Sequence, residues 1–187
     1  MKIKIFFLVV TIFLTYSFNA QKKIDGVDFS AEMTINKANV VLNGGGLREK
    51  YGFMDLYVGA LYLKSSSKDA NDIVMSDEEM GIRIVIVSSM VTRERFIEAL
   101  IEGFENTTAG KSTQSQIDQF EEFYSDPFVE GDEILLNYNP EEGVHFYKNG
   151  QKRGTIEGLP FKQALFGIWL GGEPCDDSLK DDMLGLD

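Results

Sequence analysis

The sequence predicts an α+β domain: a mainly antiparallel sheet covered on one face by helices. Three observations carry that expectation. Apolar segments of period two and of period 3.6 come in blocks and do not alternate one by one. Asn149-Gly150 lies between two short β-type runs, and Asn-Gly adopts positive φ at both positions, which a two-residue hairpin turn requires. Helix boundaries are punctuated by capping residues and by Gly171-Gly172.

Taken in order, Ala31 to Ile35 and Val40 to Leu42 are short strand candidates. From Met54 to Leu63, the even positions Met54, Leu56, Val58, Ala60 and Tyr62 point one way and the odd positions the other. Both sets are mostly apolar, the signature of a strand covered on both faces. Ile82 to Val87 reads as a central strand, and Ile134, Leu136 and Tyr138 alternate. Val144 to Lys148 and Arg153 to Ile156 flank the Asn149-Gly150 turn.

Thr92 can cap a helix whose Phe96, Ala99, Leu100, Gly103 and Phe104 share one face. Thr113 with Gln116 forms a capping-box pattern ahead of Ile117, Phe120 and Tyr124. Pro160 suits the start of a helix carrying Phe161, Leu165, Ile168 and Trp169. Ser178 is the expected cap of a last short helix with Leu179 and Met183, stopped by Gly185. The triplet Gly44-Gly45-Gly46 lacks the Lys-Ser/Thr of a phosphate loop. Positive φ at a strand end is the expected reason for it.

The chain has 187 residues, with 18 Lys+Arg against 30 Asp+Glu and a net charge of −12. Length favours one domain. The acidic balance argues against nucleic acid as a partner, since phosphate binding needs clustered cations, and against adhesion to an anionic membrane surface. One Cys and one His exclude a disulfide framework, a Cys-based zinc site and a multi-His metal site. The acidic group Asp176, Asp177, Asp181 and Asp182 is better explained by helix-dipole complementation than by a metal. His145 stands without a Ser or Cys motif and reads as structural. No metal and no cofactor are expected.

Residues 1–20 read as a signal peptide: Lys2 and Lys4, an apolar run from Ile5 to Leu14, and cleavage near Ala20. A retained anchor is the alternative. Residues 21–187 form the expected domain, periplasmic or secreted.

An ordered set of short motifs runs through this domain. Leu42-Asn43-Gly44-Gly45-Gly46-Leu47-Arg48 is followed by Leu56-Tyr57-Val58-Gly59-Ala60-Leu61-Tyr62-Leu63. Later come Gly131-Asp132, Asn149-Gly150, Gly154-Thr155-Ile156, Gly158, Phe161, Ile168-Trp169-Leu170-Gly171, Leu179-Lys180 and Leu184-Gly185. In these, from about residue 25 to 185, the chain resembles the chalcone isomerase-like family, in particular its bacterial secreted branch. The resemblance implies an open-faced β-sandwich, a large antiparallel sheet covered by a layer of helices, with a ligand cleft between sheet and helices. Plant members of the family cyclise chalcones; related members lack that activity and bind fatty acids in the same cleft.

The resemblance also implies roles. Arg48 matches the family's cleft arginine, which steadies an enolate in the isomerases and holds a carboxylate in the fatty-acid binders. A guanidinium in an apolar cleft suits a flat anionic headgroup, because it donates two parallel hydrogen bonds. Tyr57 matches a position that is Thr in the isomerases and Tyr in the fatty-acid binders. Phe96 matches an isomerase tyrosine, and residues 79–123 contain no tyrosine at all. Without such donors an oxyanion site loses on the order of 10²–10³-fold per donor. The expectation is therefore a non-catalytic binder of a fatty acid or similar amphipathic carboxylate. Arg48 and Tyr57 would hold the headgroup, and Phe96, Leu100 and Trp169 would surround the tail. The alternative is an intramolecular lyase acting on a chalcone-like enone. Oligomeric state is left open.

Overall fold

Seven strands hydrogen-bond in sequence order into one antiparallel sheet: β3 (Glu32–Ile35), β4 (Ala38–Lys50), β5 (Met54–Leu63), β6 (Met80–Ile86), β7 (Glu133–Asn139), β8 (Gly143–Lys148) and β9 (Gln151–Ile156). A separate hairpin, β1 (Gln21–Ile24) and β2 (Val27–Ser30), precedes them. The computed structural model describes residues 21–186. The signal-peptide reading falls on residues 1–20 and lies outside the described residues.

Local turn chemistry sets most of this meander. Asp25-Gly26 and Asn149-Gly150 take positive φ at both positions and close two-residue hairpins, with Ile24 opposite Val27 and Lys148 opposite Gln151. In the β3–β4 turn only the first position, Asn36, has positive φ, with Ile35 opposite Ala38. The sequence reading captured the Asn149-Gly150 hairpin but missed β1–β2, whose strands are four residues each and barely alternate.

The two faces of the sheet are covered differently. Tyr57, Leu61 and Leu63 on β5, with Ile82, Ile84 and Ile86 on β6, face the helices. Val58, Ala60 and Tyr62 face away and pack with Ile24, Phe29, Ile35 and Val40, so the small hairpin shields this part of the outer face. Full burial of Phe29 contributes about 1.5–3 kcal/mol of that closure.

The helical layer consists of α1 (Ala70–Met75), α2 (Arg93–Asn106), α3 (Gln114–Phe123), α4 (Leu159–Leu170) and α5 (Asp177–Leu184). Thr92 and Thr113 cap α2 and α3 as expected, the second through a complete capping box. Helix α5 departs from the reading: its cap is Asp176, which accepts from the Leu179 amide, and not Ser178. Ser178 lies two residues past the cap, inside the first turn. Helix α4 is apolar on nearly every side and runs through the middle of the layer. Its one buried cation, Lys162, donates at 2.8 Å to the carbonyls of Ile73, Val74 and Ser76 and so caps the C-terminal end of α1.

The glycine triplet also needs correcting. Gly44, Gly45 and Gly46 are extended residues inside β4, not positive-φ residues at a strand end. Their role is contact. A Cβ on Gly44 would stand 2.2 Å from the backbone oxygen of Asp182, and one on Gly46 would stand 1.9 Å from Asp182 Oδ2. Helix α5 lies directly on the strand at this point, which only bare backbone permits.

Candidate ligand-binding site

Cross-strand register builds the first pair. Arg48 on β4 stands directly opposite Tyr57 on β5, so the two side chains rise from the same face of the sheet. Arg48 Nη1 donates to Tyr57 Oη at 3.4 Å, and the guanidinium carbon lies 5.5 Å from the phenol ring centroid. That face is the one covered by helices, so Tyr57 is 2% exposed.

The third member comes from α4. Trp169 is 1% exposed and donates its indole N–H to Tyr57 Oη at 2.8 Å. The sequence reading assigned Trp169 only to the apolar wall. The missed signal is that a buried indole N–H requires an acceptor, and Tyr57 is the acceptor supplied here. A fourth group, Cys175 Sγ, lies 3.9 Å from Tyr57 Oη and was likewise unforeseen. Its approach depends on the turn after α4, where the Cys175 amide donates to the Ile168 carbonyl.

Helix α2 supplies the opposite wall. Gly103 lets it settle onto α4, since a Cβ there would stand 2.7 Å from Ile168 Cγ2. The same helix face carries Phe96 and Leu100 inward, at 6% and 4% exposure. Between these elements lies a cavity of about 400 Å³. Arg48, Tyr57, Phe96, Leu100 and Trp169, the five residues singled out from sequence, all line it. Leu56, Val91 and Ile168 complete the apolar part of the wall, and Tyr51, Met54 and Met90 stand at its more exposed end. The volume falls within the ~300–1,000 Å³ typical of small-molecule sites.

The electrostatics of the inner end follow from burial. Burial pushes the Tyr57 phenol well above its ordinary range, against the pull of Arg48 and of the hydrogen bonds from Trp169 and Arg48. Burial also pushes the Cys175 thiol up. Both groups are therefore neutral at pH 7. Burial works to lower the Arg48 pKa, but attraction to Tyr57 and Cys175, the Tyr57 hydrogen bond and Asp176 outweigh it, so the guanidinium stays protonated throughout. The ion pairs of the described residues do not include Arg48.

This arrangement presents mainly donors. Tyr57 Oη receives two donors, from Trp169 and Arg48, which use its lone pairs. Its own hydrogen can go to Cys175 Sγ, a weak acceptor at 3.9 Å, or to a stronger acceptor brought in beside the remaining N–H groups of Arg48. A group of hydrogen-bond acceptors carrying negative charge fits such a corner; a cation does not. Among the described residues no cluster of three or more His, Cys, Asp or Glu side chains is placed to hold a metal ion. His145 lies on β8, paired with Glu142 at 2.9 Å, and does not line the cavity.

A family model described as chalcone isomerase-like matches residues 21–185. Among solved structures, the chain is similar to a fatty-acid binding protein of Arabidopsis thaliana, with a TM-score of 0.68 and 18% identity over 85% of this chain and 92% of the other. At that identity the likeness establishes the fold. No curated protein matches the sequence.

Proposed function

The chain belongs to the chalcone isomerase-like family, and from that premise we propose that it is a binding protein for a fatty acid or a similar amphipathic carboxylate. One observation carries the reading: a protonated arginine that forms no ion pair among the described residues and a neutral phenol held by two donors line one end of a cavity whose other walls are largely apolar. A carboxylate supplies the missing negative charge and accepts from both groups, and charge-assisted hydrogen bonds of this kind are about twice as strong as neutral ones. Phe96, Leu100 and Ile168 offer the tail an apolar wall. The fatty-acid ligand of the Arabidopsis protein agrees with this chemistry.

The proposal keeps the export reading: residues 1–20 direct the chain out of the cytoplasm and are removed near Ala20. The mass of the mature N-terminus tests this.

Binding is tested by thermal shift and by displacement of a fluorescent fatty acid, using saturated acids of ten to eighteen carbons. A ligand at about a hundred times its Kd stabilises by about 2.7 kcal/mol, which a melting curve resolves readily. No stabilisation and no displacement at any chain length removes the proposal. Turnover of a chalcone by the wild-type protein would favour the lyase in its place.

A further inference from the structure

We propose that the open end of the cavity is a docking face for a zwitterionic phospholipid bilayer, from which the ligand passes directly into the protein. The proposal rests on reading the cavity as a site for an amphipathic carboxylate, whose apolar tail resides in membranes.

The β4–β5 turn forms one lip of the opening. Its Tyr51 and Phe53 are 75% and 77% exposed, more than any other large hydrophobic side chain among the described residues. They lean on one another with ring centroids 6.5 Å apart, so neither is turned into the core. Tyr51 also lines the cavity, which places this aromatic tip at the mouth. The opposite lip, between β6 and α2, adds Met90 at 41% exposure. Three of the six exposed large hydrophobics therefore surround one opening. Tyr51 holds φ +60 beside Gly52 at +71, a conformation that a bulky residue adopts at some cost.

Charge decides the kind of surface. The chain carries −12 overall, which disfavours an anionic bilayer. The mouth itself is balanced: Lys50 and Arg95 line it with Glu98 and Glu102, and the Lys50 ammonium lies 5.5 Å from the Tyr51 ring centroid. A rim that carries both signs of charge around aromatic side chains matches headgroups that carry a phosphate and an ammonium together. Aromatic rings with a polar rim settle at the headgroup level of a bilayer.

The test uses purified protein and phosphatidylcholine vesicles. Phe53 does not line the cavity, and its side chain is solvent-exposed, so Phe53→Ser folds and keeps the cavity intact. The expected result is cosedimentation of wild type, with partitioning reduced about tenfold or more in Phe53→Ser. The affinity of Phe53→Ser for fatty acid delivered from solution should equal that of wild type. In Phe53→Trp, brominated acyl chains should quench the new indole, against a wild-type background set by the buried Trp169. Wild-type protein that stays in solution, or that partitions equally well after Phe53→Ser, overturns the docking face. So does association with phosphatidylglycerol vesicles alone. A Phe53-dependent dimer in analytical ultracentrifugation also overturns it, by assigning the patch to a second copy. Phe53-dependent vesicle association by a protein that binds no fatty acid from solution upholds the docking face and removes the carboxylate reading of the cavity.

Discussion

Replacing Arg48 with Met separates binding from stability, because the two should move in opposite directions. Arg48 is half-buried, and among the described residues it forms no ion pair and makes one side-chain hydrogen bond, the long 3.4 Å contact with Tyr57. The groups that favour its charge most, Tyr57 and Cys175, do so as anions, which neither becomes at neutral pH. What remains for the empty protein at pH 7 is the cost of a poorly compensated cation near an apolar cavity, offset by one weak hydrogen bond, the cation–π contact and a smaller attraction to Asp176. Met has a similar stem without that cost. Unliganded Arg48→Met should therefore be as stable as wild type or more so, by about 0–1 kcal/mol, measured as the urea midpoint at constant m-value. The bound carboxylate, by contrast, loses charge-assisted hydrogen bonds worth about 1.5–3 kcal/mol, a rise in Kd of about 10- to 150-fold. Fluorescence displacement with one fatty acid, run on both proteins, reads this directly. A variant that is less stable by more than about 1 kcal/mol and binds as well as wild type refutes the reasoning. Arg48 would then be a structural clamp between β4 and its surroundings.

Other consequences are independent of that experiment. Tyr57→Phe leaves the Trp169 indole N–H buried without an acceptor, so it should cost about 1–3 kcal/mol of stability in chemical denaturation as well as weaken ligand binding. Gly44→Ala places a methyl against the backbone of α5, and overpacking of this kind costs about 1–3 kcal/mol; a calorimetric Tm within a degree of wild type would show that α5 does not need bare backbone there. Burial pulls Lys162 down to about 8 from an ordinary 10.5, with Asp77 and Glu78 opposing. The unfolded chain thus holds the extra proton between those two values, and stability from this group is full above about 10.5 and lost as pH falls through about 8. Urea midpoints at pH 7.5 and 9.5 should show this rise in wild type and lack it in Lys162→Met, relative to the slope of the other groups. Binding should hold steady from pH 8 to about 6 and weaken below about 5, as the ligand's carboxyl protonates while Arg48 stays charged; an isothermal titration series in pH checks the midpoint.

Much of the architecture was legible because its causes are local. The alternation of β5 declared two apolar faces, and both proved buried, one under helices and one partly under the β1–β2 hairpin. Thr92, Thr113 and Asn149-Gly150 were readable because a cap or a tight turn needs only neighbours within a few residues. The misreadings have a common origin. Gly44-Gly45-Gly46 looked like a turn because glycine most often serves one, whereas its role here is to let α5, some 140 residues later in the chain, lie against β4. Ser178 and Asp176 are both good caps by type, and only the docked position of α5 chose between them.

The sequence by itself determined the fold class and the family resemblance, since residue types, periods and short turns are properties of the chain read in order. Tertiary structure alone decided that Arg48 faces Tyr57 across two strands, that Trp169 reaches Tyr57 from α4 with an N–H, and that Cys175 arrives beside them. Those meetings depend on strand register and on the seating of a helix far along the chain. Register and seating minimise the exposed apolar area of the whole domain, a quantity that no local segment contains.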